Sequence, residues 1–307
     1  MEFLYFLEGL RTPWMDTIMS VLTHLGGETA FLVTALVLFW CADKRQGYYL
    51  MAVGFLGTLA NQFLKLACRI PRPWVRDPQF TIVESARADA GGYSFPSGHS
   101  QTSVGTFGAI AMCNSRKWLR AACISVCVII PFSRMYLGVH TPADVLVGSG
   151  MAIGFLLILK PVCYCREGKN IPILFLVMIV LGAAFVAYTE LYPFPADIDP
   201  HNLQSAVKNS YTLMGALLGM VIVYYADEKK LRFPTDGVWY AQVLKVLGGL
   251  VLVLLVKEGA KAPLEALFAG HMVSRAVRYC LVVLCAGIVW PLTFPWFSRL
   301  GRRTETA

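Results

Sequence analysis

The chain has 307 residues, of which 56% are hydrophobic and 15% are charged, and its formal net charge at pH 7 is +8. Apolar runs of this length with so little charge exclude an ordinary soluble domain and predict an integral membrane protein. The basic residues are spread over short loops and form no continuous patch, so we expect no nucleic-acid partner.

The first 24 residues predict helices that lie on the membrane surface. Apolar side chains alternate there with Glu8, Arg11 and Asp16, and Pro13 interrupts the segment. This pattern favours one or two amphipathic helices at the interface over a helix that crosses the bilayer. The segment also lacks a basic start and a clear cleavage site, so no cleavable signal peptide is expected.

Nine apolar runs follow, and each predicts a transmembrane helix. They lie at about residues 29–42, 48–68, 98–114, 118–132, 142–159, 171–191, 208–226, 239–257 and 276–298. Residues 69–97 form a polar loop whose prolines prevent a continuous helix. Lys245 lies inside the eighth run, and we expect its side chain to reach the nearer membrane surface. The predicted fold is therefore an all-α polytopic bundle with an N-terminal interfacial helix.

The nine cysteines predict neither a disulfide framework nor a metal site. Their number is odd and most lie inside or beside predicted spans. Cys163 and Cys165 form a close pair, but no second pair stands at zinc-site spacing. We expect free thiols, no bound metal and no cofactor.

Three polar clusters lie at the edges of apolar runs, where charge without a function is costly. They contain Lys65 and Arg72; Ser97, Gly98 and His99; and Arg134, His140 and Asp144. Ser97 is a plausible N-cap, and the free N–H groups of the helix that follows it form an anion site. The sequence from Thr141 to Asp144 resembles a second helix start, with proline at the first position. Asp144 then lies four residues from His140, within reach of its imidazole.

These groups suit phosphoryl transfer. A phosphate monoester carries about −1.5 to −2 charges at pH 7, and lysine, arginine and a helix start supply matching donors. One histidine can attack phosphorus while the other protonates the departing alcohol, and an acid beside the first can fix its tautomer. No glycine-rich nucleotide loop and no set of residues at metal-ligand spacing accompanies them.

In order along the chain, the three clusters resemble the three-part signature of the type 2 phosphatidic acid phosphatase (PAP2) superfamily, over roughly residues 60 to 150. The first part is Lys65 with Arg72-Pro73, the second is Pro96-Ser97-Gly98-His99, and the third is Ser133-Arg134 with His140 and Asp144. The resemblance implies a phosphohistidine on His140 supported by Asp144, and His99 as the general acid. It further implies that phosphate is held by a set of five residues: Lys65, Arg72, Ser97, Gly98 and Arg134.

The number of spans is similar to that of the glucose-6-phosphatase and sphingosine-phosphate phosphatase branches. The resemblance implies a metal-independent phosphatase acting on a lipid phosphate monoester. Alternatives in the same class are a polyprenyl diphosphate phosphatase and a glucose-6-phosphatase-like enzyme. The alternative from another class is a transporter or lipid-binding membrane protein without turnover, but such a carrier should show paired repeats with broken helices.

The sequence divides into an interfacial segment (1–24), a catalytic core (25–160) and an extension with four further spans (161–307).

Basic residues in the loops predict the orientation. With nine alternating spans, fourteen Lys and Arg fall on one surface and eight on the other, once the basic residues of the clusters are set aside. The positive-inside rule makes the richer surface cytoplasmic. All three clusters then lie on the extracytoplasmic or lumenal side, and the carboxyl terminus lies in the cytoplasm. Three further histidines do not belong to any of the three polar clusters and are interpreted as loop or interface residues: His24, His201 and His271.

Overall fold

A computed structural model describes residues 1–88, 90–164 and 169–300. Within these ranges there are fourteen α-helices and no strand, which confirms the all-α prediction. The helices are α1 Glu2–Gly9, α2 Pro13–Thr23, α3 Glu28–Cys41, α4 Lys44–Cys68, α5 Pro73–Arg76, α6 Gly98–Cys113, α7 Lys117–Tyr136, α8 Pro142–Tyr164, α9 Ile171–Leu191, α10 Pro200–Ala226, α11 Trp239–Gly259, α12 Lys261–Leu267, α13 Val273–Leu284 and α14 Phe294–Arg299. The thiol of Cys165 lies outside the described residues; the other eight cysteines are free.

Seven segments of the described chain are long and apolar enough to cross a membrane, and an eighth arises if the bent pair of α2 and α3 is one span. The seven are Lys44–Arg76, Lys117–Tyr136, Pro142–Tyr164, Ile171–Leu191, Pro200–Leu231, Trp239–Leu267 and Val273–Arg299. The chain is thus a multi-pass membrane protein. Of the nine predicted spans, α3 and α6 have only 14 and 16 residues, so the count of nine stays a prediction.

Two helices extend beyond the predicted spans in ways that matter for the polar clusters. α7 continues through Pro131 to Tyr136, so Arg134 lies on its last turn rather than in a loop. α10 begins at Pro200, eight residues before the predicted start of that span. Both extensions contain polar residues, and Ser133 and Arg134 on the α7 extension are buried.

Contacts divide the chain into two compact units, and the first contains residues 1–34, 49–168 and 193–206. In this unit α6 packs extensively against α7 and α8. The approach of α8 to the start of α6 requires a glycine, because a Cβ at Gly148 would lie 2.5 Å from the carbonyl oxygen of Ser97. The tight packing therefore fixes α8 against the polar end of α6.

Helices α1 and α2 dock on the same unit. Arg11 donates hydrogen bonds from Nε to the Tyr136 carbonyl oxygen (3.0 Å) and from Nη1 to the Thr81 carbonyl oxygen (2.9 Å). The Tyr136 hydroxyl donates to Asp16 Oδ1 at 2.8 Å. Phe6 and Trp14 leave 62% and 63% of their surface exposed, so the segment has one packed face and one open apolar face. The N-terminal segment is therefore helical in α1 and α2, while an amphipathic helix at the membrane surface stays a prediction.

The second unit contains residues 35–48, 169–192 and 207–307, of which the structure describes those up to 300. In this unit the buried indole N–H of Trp40 donates a hydrogen bond to the carbonyl oxygen of Ala286 at 2.9 Å. The prediction that Lys245 reaches the membrane surface is wrong, because the residue is fully buried. Its ammonium group donates to the Asp236 carbonyl oxygen at 3.0 Å and lies 4.7 Å from the centre of the Phe294 ring. A backbone acceptor and an aromatic face replace the water that snorkelling would supply.

Candidate active site

The structure brings the three predicted clusters together at one end of α4, α6, α7 and α8. Lys65 lies in the last turn of α4, and Arg72 lies just before α5. Ser97 caps α6, Arg134 lies on the last turn of α7, and Asp144 lies in the first turn of α8. The charges of Lys65, Arg72, Arg134 and His99 all act on the imidazole of His140.

His140 is 2% exposed and lies in the short connection between α7 and α8. Nη1 of Arg72 lies 2.9 Å from Nε2 of the imidazole. Because a guanidinium carries only donors, Nε2 must be the acceptor in this contact, and the proton of the neutral ring is then on Nδ1. Nδ1 faces Asp144, whose Oδ2 lies 3.4 Å away. Nη1 also lies 3.5 Å from Nδ1, but its shorter contact assigns the lone pair to Nε2, and Nδ1 has Asp144 as its acceptor.

Asp144 is held in place by the helix start to which it belongs. Its Oδ2 accepts hydrogen bonds from the Thr141 N–H at 2.7 Å and from the Ser94 hydroxyl at 2.6 Å. In return, the Thr141 hydroxyl accepts from the Asp144 N–H at 3.3 Å. This reciprocal pattern is the capping box that the sequence predicted. It leaves the carboxylate, which is 1% exposed, with little freedom to move away from His140.

Burial lowers the pKa of His140 well below its ordinary value, because the charged ring loses its solvation, and the cations of Arg72 and Arg134 lower it further. The imidazole is therefore neutral over the physiological pH range. A neutral ring is the form that can attack an electrophile.

Lys65 and Arg72 share one backbone loop. Lys65 Nζ donates to the Tyr93 carbonyl oxygen at 2.5 Å. Arg72 donates from Nε to the Gly92 carbonyl oxygen and from Nη2 to the Gly91 carbonyl oxygen, each at 2.9 Å. Nη1 also donates to the Val139 carbonyl oxygen, one residue before His140, at 2.9 Å. The guanidinium thus connects this loop to the loop of the buried histidine.

The start of α6 supplies the N–H groups that the sequence predicted. The Ser97 hydroxyl accepts hydrogen bonds from the N–H and the hydroxyl of Ser100, at 3.3 and 2.8 Å, which confirms the N-cap. Asn61 of α4 holds the approach to the helix by donating to the Pro96 carbonyl oxygen at 3.2 Å. At Gly98, an added Cβ would find its nearest neighbour at 3.8 Å, on Asn61, which is an ordinary contact distance.

Sequence reasoning missed the turn after α2. An added Cβ at Gly26 would lie 3.0 Å from the His99 carbonyl oxygen, so this turn packs directly against α6. His24, interpreted from the sequence as a loop or interface residue, is close enough for its charge to act on His99. The buried hydroxyl of Thr23 accepts a hydrogen bond from Nη1 of Arg134 at 3.0 Å. No local pattern could reveal these contacts, because the partners lie far apart in the chain.

We expect Thr23→Val to lower kcat/KM for phosphate release by about tenfold, because a buried guanidinium loses a hydrogen-bond acceptor. Valine keeps the shape of threonine, so the change isolates the hydroxyl. Thr17→Val is the matched control, since Thr17 is exposed on the same helix and its hydroxyl donates only to the Pro13 carbonyl oxygen. Equal kinetics for the two variants would exclude a role for Thr23 in orienting Arg134.

Comparisons with known proteins agree with these motifs. Residues 45–170 match the model of the PAP2 superfamily. Residues 211–303 match the PAP2 superfamily phosphatase, transmembrane extension. No solved structure matches the chain significantly.

Three curated relatives have similar identity. Phosphatidylglycerophosphatase B of Bacillus subtilis is 30% identical over 161 residues, which cover 48% of this chain and 74% of the relative. The undecaprenyl-diphosphatase of Sulfolobus acidocaldarius is 30% identical over 145 residues, 46% of this chain and 68% of the relative. The lipid A 1-phosphatase of Rhizobium etli is 33% identical over 169 residues, 48% of this chain and 71% of the relative. The chain therefore belongs to the PAP2 superfamily of phosphatases.

Proposed function

We propose that this chain is a metal-independent phosphatase that removes phosphate from a lipid phosphate monoester through a phosphohistidine on His140. The observation that carries the proposal is the buried, neutral imidazole between Arg72 and Asp144. It has a lone pair on Nε2 and an acid that can support the positive charge that develops during attack. The proposed steps use side chains and one water molecule, and in the described chain no group of three or more His, Cys, Asp and Glu is placed to hold a metal.

The proposed reaction has two steps. Nε2 of His140 attacks phosphorus, the N–P bond forms, the P–O bond to the lipid alcohol breaks, and His99 donates a proton to the departing oxygen. Neutral His99 then takes a proton from a water molecule that attacks phosphorus, and the N–P bond breaks to release inorganic phosphate. Asp144 keeps the proton of His140 on Nδ1 through both steps.

Five groups bind the phosphate in this proposal: Lys65, Arg72, Arg134, Ser97 and Gly98. The two guanidinium groups and the ammonium group offset the dianion, and the N–H groups at the start of α6 receive its oxygens. In the free enzyme Nη1 of Arg72 bonds to Nε2 of His140. We propose that the phosphate takes over this donor when it binds, which frees the lone pair of Nε2 for attack.

The membrane setting favours a substrate with an apolar tail that enters laterally from the bilayer. Relatives named phosphatidylglycerophosphatase and lipid A 1-phosphatase support a lipid monoester. Relatives named undecaprenyl-diphosphatase support a polyprenyl diphosphate as the second candidate. A soluble ester such as glucose 6-phosphate has neither kind of support among these relatives.

A substrate panel tests the proposal. Purified protein in detergent, with a chelator present, is assayed for phosphate release from phosphatidate, lysophosphatidate, a sphingoid phosphate, a polyprenyl diphosphate and glucose 6-phosphate. We expect the highest kcat/KM for a lipid monoester. Absence of release from every substrate would support the carrier alternative, and a preference for glucose 6-phosphate would replace the lipid by a soluble ester.

The role of His99 makes a separate prediction. We expect His99→Ala to lower phosphate release from a lipid monoester by about 10²- to 10⁴-fold, because the alkoxide then leaves without a proton. In the first turnover of p-nitrophenyl phosphate, the release of p-nitrophenol, which leaves without a proton, should be slowed much less. Equal losses of the first-turnover rate of alcohol release on the two substrates would remove His99 from the general-acid role.

We also propose the orientation and the full span count. α3 and α6 are taken to cross the membrane together with the seven longer segments, which gives nine spans in all. The excess of basic loop residues then places the carboxyl terminus in the cytoplasm and the active site on the extracytoplasmic or lumenal side. Three of the counted residues, Arg166, Arg302 and Arg303, lie outside the described residues. In this proposal residues 1–24 form an interfacial segment, 25–160 the catalytic core and 161–307 the extension.

A further inference from the structure

The loop of residues 91–93 determines where two of the phosphate-binding cations point. Its three carbonyl oxygens each accept a hydrogen bond from Lys65 or Arg72, at 2.5 to 2.9 Å. A lysine or arginine side chain has several rotatable bonds, so it keeps one direction only when its donors are held. The position of this loop is therefore part of the geometry of the phosphate site.

Asn202, on the first turn of α10, holds this loop from outside. Its Oδ1 accepts a hydrogen bond from the Tyr93 N–H at 2.9 Å. Gly92 has a φ of +75°, and a Cβ there would lie 2.4 Å from Asn202 Oδ1. Only glycine permits both this backbone conformation and so close an approach. The side-chain amide of Asn202 thus packs directly against the backbone of Gly92 in this loop.

The start of α10 fixes Asn202 in turn. Asp199 Oδ1 accepts hydrogen bonds from the N–H groups of His201 and Asn202, at 2.8 and 3.3 Å, as an N-cap does. The Asp199 N–H donates to the Tyr93 hydroxyl at 3.4 Å, which is a second contact with the same loop. Two residues at the α10 start therefore hold Tyr93, Asn202 through the backbone of Tyr93 and Asp199 through its side chain.

We infer that Asn202 is a positioning residue of the phosphate site, which aims Lys65 and Arg72 through the loop of residues 91–93. The inference rests on the proposed function, since it assigns those cations to phosphate. Asn202 lies between the ranges that match the two family models, 45–170 and 211–303. In this inference the catalytic site depends on a segment that lies beyond the three signature clusters in the chain.

Two variants remove the acceptor in different ways. Asn202→Ala removes the whole amide, whereas Asn202→Leu keeps the branched shape and the packing. In both, the Tyr93 N–H loses its partner, and we expect kcat/KM to fall and the inhibition constant of inorganic phosphate to rise, each by about tenfold. His201→Ala is the matched control, because His201 is the adjacent exposed residue and should leave both constants unchanged.

The melting temperature in detergent, measured with and without saturating inorganic phosphate, separates positioning from simple stability. We expect the Asn202 variants to lose much of the stabilisation that phosphate gives the wild type. Two outcomes would overturn the inference. In the first, the variants melt at a lower temperature but keep the wild-type kcat/KM and the wild-type inhibition constant of phosphate per folded molecule. In the second, they keep the full stabilisation by phosphate. Failure of the wild type to hydrolyse any substrate would overturn the proposed function instead, and the phosphate-dependent melting shift would still decide the role of Asn202.

Discussion

Replacement of His140 by alanine is expected to lower phosphate release by at least about 10⁴-fold, because the variant has no nucleophile and no N–P bond can form. Release is measured in detergent with a chelator present. In a rapid-quench experiment with radiolabelled substrate, the wild type should carry label on His140. His99→Ala should accumulate this label on an activated ester, since it lacks the base for the second step.

The control for this experiment is His271→Ala. His271 is exposed in the second unit, where its Nδ1 accepts a hydrogen bond from the Val273 N–H. The His271→Ala enzyme should release phosphate at the wild-type rate. A His140→Ala enzyme that is folded and still releases phosphate at more than about one hundredth of the wild-type rate would rule out the phosphohistidine pathway.

Arg72→Gln is expected to lower kcat/KM by about 10³-fold. The change removes one positive charge from the phosphate site and the forked donors that bond to the residue 91–93 loop, to Val139 and to His140. Arg76→Gln is the control, because Arg76 is exposed four residues later. A loss below about tenfold would show that Arg72 does not touch the reacting phosphate.

The same variant should change the pH dependence. In the proposed mechanism His140 attacks in its neutral form, and its pKa is lowered by burial and then by Arg72 and Arg134. The acidic limb of the kcat/KM profile should therefore lie below the ordinary histidine value of about 6.5. Loss of the Arg72 charge raises the pKa of His140, so the limb should move to higher pH in Arg72→Gln. Because ionisation of the substrate is common to both enzymes, it cancels in the comparison.

The polar clusters could be located from the sequence because their signals are local. Thr141 and Asp144 stand at the spacing of a capping box, and the structure has that box. Ser97 was predicted to cap α6 and does so. The helix starts then determine where His140 and the free N–H groups of α6 point. Local chain geometry thus accounts for most of the proposed machinery.

The supporting contacts could not be predicted, because they join residues far apart in the chain. Thr23 bonds to Arg134, and Tyr136 bonds to Asp16, with no pattern that relates either pair. The early start of α10 did leave a signal that was missed, namely Asp199 before Pro200, which is a cap followed by the proline preferred at the first helical position. The buried state of Lys245 depends on the tertiary placement of Phe294 and had no signal at all.

The docking of α1 and α2 decides how this protein can be handled in the laboratory. Arg11 bonds to the carbonyl oxygen of Tyr136, four residues before the proposed nucleophile, and Thr23 bonds to Arg134, which is proposed to bind phosphate. The segment from α1 to the turn after α2 thus packs against the proposed active site. Affinity tags and reporter fusions belong at the other terminus, and a version trimmed at its beginning should fail as a catalyst even where it still inserts into membranes.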